Sequence, residues 1–253
     1  NDEPGFGSYK NTALSTTFDS LGTDRYVLTE DNKALRDIAG HVPYDALVIM
    51  INQKRYGGGG IYNAFCTCTV GNEWVEYLFL HEFGHSFSGL ADEYYTSDVA
   101  YNEFYPSGVE PREPNITALL DPKNVKWKTA PGIAVPTPWE KDEFDKNDMA
   151  YQKLRRELNN KIAALKLSGA PVEAVAKAEE ESDLKSIEQA GWVDGFLASS
   201  KFAGKAGVYE GAGYAAKGLY RPAVDCIMFT KGKKPYCPVC EDAVRQMVLF
   251  YAK

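Results

Sequence analysis

Residues 73–88 constrain this chain most. Trp74, Val75, Tyr77, Leu78, Phe79, Leu80, Phe83 and Phe87 place apolar side chains on every face of the helix expected there, with Asn72 as its cap. A helix that is apolar all round is buried, and a charged or imidazole group inside the protein is costly unless it has a partner. His81, Glu82 and His85 lie within this helix, so the fold must supply that partner. Residues four apart lie nearly above one another at about 3.6 residues per turn, which lets the His81 and His85 imidazoles meet one metal ion. Glu82, one step round the helix, falls beside the ion rather than on it. There it can take a proton from an activated water and return it to a leaving amine. The pattern His-Glu-x-x-His also arises by chance on exposed amphipathic helices. Here its helix is expected to be buried, and it holds two of the chain's three histidines. The remaining one, His41, precedes Pro43 at the end of an expected helix and reads as a capping or surface residue.

A catalytic zinc ion takes three protein ligands and keeps one position open. Past the helix, Gly89 can adopt the left-handed conformation that stops a helix and swings the following residues back toward the metal. Asp92, three residues on, is the expected third ligand, with Glu93 its close competitor because its longer side chain reaches further. An acidic cap or salt bridge at the helix end is the plainer role for Asp92.

The rest of the chain reads as α+β, with an α/β-like N-terminal lobe. Thr29 is expected to cap a helix through Ala39 whose Ala34, Leu35 and Ile38 face a core. The apolar run 45–52 is expected to be a strand buried on both faces, and Gly57, Gly58, Gly59 and Gly60 to break the chain before a second strand over 61–70. Residues 92–138, rich in Tyr, Pro and Asn, read as long irregular loops. Residues 141–190 change character: a helical stripe of Tyr151, Leu154, Leu158, Ile162 and Leu165 among many charges, a turn at 168–171, then a second charged helix to about 189. This is an inserted helical hairpin, read as a solvated spacer. A Gly-rich segment, 204–218, precedes Arg221, and an amphipathic helix runs from Cys240 to the end. The 253 residues suit one catalytic unit, with lobes 1–90 and 91–253.

Composition narrows the partners. A net charge of -7 lacks the clustered Lys and Arg that phosphate neutralisation needs, which excludes nucleic acid. No apolar run approaches the roughly 20 residues that span a bilayer. Residues 1–10 carry no signal-peptide pattern, so an export signal is expected to be removed or absent.

The motif residues carry a resemblance. His81-Glu-x-x-His85 with Gly89 and Asp92 resembles the metzincin motif, one residue longer than its usual spacing on the way to the third ligand. Tyr56-Gly-Gly-Gly-Gly-Ile-Tyr62, the stretch from His81 to Tyr95, Glu210-Gly-Ala-Gly-Tyr214, Gly218-Leu-Tyr-Arg-Pro222 and Cys226-Ile-Met228 together resemble the IgA-peptidase family of bacterial metallopeptidases. That resemblance implies a metzincin-like zincin with a mixed sheet, an active-site helix and an irregular C-terminal lobe, with Met228 in a turn beneath the metal. It implies that the strand over 61–70 is the edge along which a peptide pairs, with Gly57 to Gly60 as the cleft rim or a flexible turn. Tyr214 would donate to the oxyanion. Cys237-Pro-Val-Cys240 has redox or zinc-ribbon spacing, but the second Cys-x-x-Cys of a ribbon is absent. In an exported protein, Cys226 would pair with Cys237 or Cys240 and anchor the methionine turn. Cys66 and Cys68 share one strand face as small buried residues.

The implied activity is a zinc-dependent endopeptidase with one catalytic ion, secreted, periplasmic or cell-surface. Its substrates would be proteins or peptides, such as immunoglobulin or another extracellular glycoprotein. An exopeptidase with a closed cleft and a protein- or glycan-binding module that has lost turnover are the alternatives, and the intact Glu82 speaks against the second.

Overall fold

A computed structural model describes residues 4–5, 10–22, 26–96 and 104–253. Helix α1, Asn32–Ala39, is capped by Asp31, whose carboxylate accepts from the Ala34 N–H at 2.9 Å. Thr29, the expected cap, instead accepts from the Asp31 N–H and donates to the Leu14 carbonyl. Leu35 and Ala39 face the core, whereas Ile38 is exposed.

Three strands follow, β1 (Val48–Ile51), β2 (Gly58–Ile61) and β3 (Phe65–Thr69), in the order β1-β3-β2. β1 runs parallel to β3 and β2 antiparallel to it. Two expectations need correction. The glycines do not break the chain, because Gly58, Gly59 and Gly60 form most of β2. The edge beside the site is therefore β2, and β3, within the stretch read as the edge, is the central strand with all five residues buried. β1 is also not covered on both sides. Ile49 and Ile51 are buried, but Met50 is exposed, because the helix covering this face packs on β2 and β3.

That helix is α2, Val75–Ser88. Residues paired across a sheet share a face, so Gly58 and Gly60 lie alongside Cys68 and Cys66 on the side that meets α2. This face is built of small residues, and the close approach depends on it. A Cβ on Gly60 would stand 2.5 Å from the Glu82 carbonyl oxygen and 2.6 Å from the His85 Cβ. On the opposite face Thr67 donates to the Val27 carbonyl at 2.5 Å, beside a cluster of Phe18, Val27, Leu28, Leu35 and Phe65.

Helices α3 (Lys141–Leu167) and α4 (Val172–Ser199) form the hairpin, joined by a turn at 168–171. α4 runs ten residues past the expected end near 189. The distal part is solvated, with Leu167 and Val172 exposed. The base is not a spacer, because Phe144, Val193 and Leu197 are buried in the main core with Leu78, Tyr95, Ile227 and Phe229. Phe144→Ala is expected to cost about 3–5 kcal/mol in a denaturant melt, since it removes an aromatic ring from a packed site.

The Gly-rich segment hides two strands, β4 (Tyr209–Ala212) and β5 (Ala215–Arg221), paired antiparallel. Gly213 and Tyr214 both have positive φ, 55° and 65°, as a two-residue hairpin turn requires. The irregular residues 104–138 are pinned to these strands by bridges from Thr117 to Tyr220 and from Thr137 to Tyr209. Helix α5, Pro238–Tyr251, closes the chain, and Tyr251 stacks on Phe87 of α2. Among the described residues no helix is long and apolar enough to cross a membrane.

Candidate active site

Helix α2 ends as its sequence dictates. Gly89 takes φ 62° and ψ 31°, its N–H donates to the His85 carbonyl at 3.1 Å, and the Leu90 N–H donates to the Gly84 carbonyl at 3.2 Å. The chain therefore turns back, and Asp92 arrives over the helix. Its Oδ1 lies 3.0 Å from His81 Nε2 and 3.2 Å from His85 Nε2, and the two Nε2 atoms are 3.1 Å apart. Glu93 points away, its Oε1 accepting from Asn115 Nδ2 at 3.0 Å.

The protons of the two imidazoles are placed by carbonyls. His81 Nδ1 is 3.1 Å from the Ile227 carbonyl and His85 Nδ1 is 2.6 Å from the Leu90 carbonyl, and a carbonyl only accepts, so each Nδ1 donates. In the neutral rings the two Nε2 lone pairs then face each other and a carboxylate oxygen. Asp92 Oδ1 is buried with no hydrogen-bond donor among the described residues. Three lone pairs converging in the interior form a group that could hold a metal ion. Tetrahedral coordination at about 2.0–2.1 Å places ligand atoms roughly 3.3 Å apart, close to the spacings found, so the residues fit a zinc-sized ion.

The electrostatics agree. Burial pulls the His85 imidazole down, but the charge of Asp92, with Glu82 behind it, outweighs it and raises the group to about 9. Burial pushes Asp92 up, yet His85 and His81 hold it well below the usual carboxylate range. The centre of this triangle favours positive charge.

Other residues hold these three side chains in place. Tyr214 donates its hydroxyl to Asp92 Oδ2, because the hairpin tip is tied to the segment that follows α2: Gly213 N–H donates to the Asp92 carbonyl and Tyr214 N–H to the Tyr94 carbonyl, each at 3.0 Å. Burial, then the Asp92 charge, pushes the Tyr214 phenol well up, which keeps its proton in place to donate. The oxyanion reading did not foresee this contact with Asp92. Met228 is fully buried, and its sulfur would lie 3.1 Å from a Cβ on Gly84, the helix residue between the two histidines. Asn115, in an aperiodic loop, clamps the same segment through the Ala91 N–H at 2.7 Å and the Ala91 carbonyl at 2.9 Å. No feature of the sequence marks it. Arg221, fully buried, donates to the Gly211 carbonyl at 2.7 Å and lies 3.8 Å over the Phe229 ring, joining the hairpin to the Met228 segment. His41 is exposed and donates to the Ile38 carbonyl, as a helix-end residue does.

His81, Glu82, His85, Asp92 and Tyr214 line one cavity of about 680 Å³. Its walls include the aromatic rings of Tyr26, Tyr56, Tyr62, Tyr94 and Phe104. The five cysteines are free, buried thiols, so the expected disulfide from Cys226 is not formed. Burial pushes the Cys66 thiol up to about 11, which makes it an inert packing residue.

A helix-borne imidazole pair, a carboxylate returned by a glycine turn and a cavity beside them suit hydrolytic chemistry. The chain belongs to the IgA Peptidase M64 family, whose family model matches residues 2–248. Comparison with curated proteins found no match.

Proposed function

We propose that this chain is a zinc-dependent endopeptidase in which His81, His85 and Asp92 hold one catalytic ion and Glu82 is the general base. The observation that carries the proposal is the convergence of His81 Nε2, His85 Nε2 and Asp92 Oδ1 within 3.2 Å of one another, beside Glu82 in the same cavity. Zinc at such a site supplies Lewis acidity, lowering the pKa of a coordinated water toward about 7. Glu82 takes a proton from the attacking water and passes it to the amine nitrogen as the C–N bond breaks. The Ile227 and Leu90 carbonyls fix the imidazole tautomers, so both Nε2 lone pairs stay aimed at the ion. The buried Met228 beneath Gly84 supports a metzincin-like arrangement with an apolar floor.

Tyr214 orients Asp92 by hydrogen bond, and to donate to an oxyanion its one hydroxyl proton would have to leave Asp92. Tyr214→Phe is expected to weaken zinc affinity or turnover about 10- to 100-fold, read by competition with a chromogenic chelator and by kcat and KM. A change confined to kcat would assign it to the oxyanion; a change confined to affinity would assign it to the ligand. The family's name motivates an extracellular protein substrate, an immunoglobulin or another glycoprotein, and a secreted, periplasmic or cell-surface location.

The activity is tested with unfolded casein and with long peptides blocked at both ends. Internal cuts that stop on chelation and return with zinc are expected. Release of terminal residues alone would make it an exopeptidase, and no cleavage of any substrate would leave a binding module.

A further inference from the structure

We propose that Glu93, Cys226, Cys237 and Cys240 form a second metal site, closed and structural, for a divalent ion of the zinc class. One ligand atom from each residue lies within 4.8 Å of all the others, and all four side chains are buried. This site shares no residue with the active site and is independent of the peptidase reading. The chain brings the four together from three places. Cys237 caps α5 and Cys240 lies in its first turn, Cys226 precedes Ile227 and Met228, and Glu93 follows Asp92.

The chemistry of the donors selects the metal. Three thiols and one carboxylate are a soft, anionic set that suits tetrahedral zinc. Such a site has sulfur atoms about 2.3 Å from the ion and therefore roughly 3.8 Å apart, which the cluster reaches by contracting an ångström or less. Cys237 caps helix α5, where the helix N-terminus favours a thiolate, and its N–H already donates to Cys226 Sγ at 3.2 Å. Glu93 gives a separate indication. It is fully buried, its Oε1 accepts from Asn115 and from Cys240 Sγ at 3.1 Å, and its Oε2 is buried with no hydrogen-bond partner among the described residues. A disulfide between two of the three cysteines would leave that oxygen and the third sulfur unaccounted for.

Binding balances in protons alone. A divalent ion displaces the protons held by the three thiols and the Glu93 carboxyl, giving an assembly of charge about -2, with the buried guanidinium of Arg221 as an opposing charge. With four protein ligands no position is open to water, so the ion is a staple. It would fix the Met228 segment, whose carbonyl accepts from the Glu93 N–H at 2.8 Å and whose Ile227 carbonyl holds His81.

The test uses the whole chain, purified under reducing conditions. In His81→Ala/His85→Ala, one zinc per chain is expected to remain by elemental analysis, and Cys226→Ser/Cys240→Ser is expected to lose it. Cobalt(II) exchanged into the wild type gives a readout independent of how the variants fold. Near-ultraviolet thiolate-to-cobalt charge-transfer absorption is expected, and His81, His85 and Asp92 contain no sulfur to produce it. After chelation and denaturation, five titratable thiols are expected. Cobalt binding without that absorption, or only three thiols in protein purified without reductant and then chelated, would overturn the site, the second result in favour of a disulfide. Peptidase activity does not enter this test, so failure here leaves the catalytic proposal standing, and the reverse also holds.

Discussion

Glu82→Gln is expected to lose about 10²- to 10⁴-fold in kcat, the range removed with a positioned general base, while metal content and thermal unfolding stay at the wild-type level. The separation follows from geometry. Glu82 lines the cavity beside His81 and His85 but is not among the three residues that could hold the ion. Glutamine keeps the shape and hydrogen-bonding capacity of the side chain and removes its ability to take a proton. Measuring kcat on a blocked peptide together with zinc per chain distinguishes a lost base from a lost metal. A variant that keeps its metal and cleaves at the wild-type rate would remove Glu82 from the mechanism.

Gly60→Ala is the second large effect, and it acts from outside the motif. The added methyl would stand 2.5 Å from the Glu82 carbonyl oxygen and 2.6 Å from the His85 Cβ, so β2 and α2 must part. Overpacking of this kind costs about 1–3 kcal/mol, and displacing catalytic groups by an ångström costs on the order of 10² in rate. Both losses are expected, in a denaturant melt and in kcat/KM. Gly59→Ala is the control, because its methyl meets the Leu28 side chain on the opposite face of the sheet. It should destabilise the protein and spare the rate constant of the folded fraction. Equal kinetic damage from the two substitutions would mean that the small-residue face does not set the position of α2.

These glycines show where sequence reading stops. Four in a row signal backbone freedom, and a break is the natural inference, but here the missing side chains serve close approach between a strand and a helix, which depends on a partner 22 residues away from Gly60. The helix itself was legible because its spacing is local: two histidines one turn apart, a glycine able to take positive φ, and an acid shortly after. What the sequence left open was the choice between Asp92 and Glu93. That depends on which way the turn after Gly89 faces each side chain, and the structure sends Asp92 to the imidazoles and Glu93 to Asn115. Tyr214 stood out by its glycine neighbours, but its hydroxyl reaches Asp92 across 122 positions, a contact that no local pattern encodes. Cys237 and Cys240 had metal-ligand spacing. Their partners, Cys226 and Glu93, come from separate segments and could not be paired with them by spacing alone.

The central claim is that three side chains hold an ion over Glu82, and anomalous diffraction at the zinc absorption edge from crystals of active protein tests it most directly. A peak about 2.0–2.2 Å from His81 Nε2, His85 Nε2 and Asp92 Oδ1 is the expected result. Crystals of active enzyme with no anomalous density among these three atoms would contradict it.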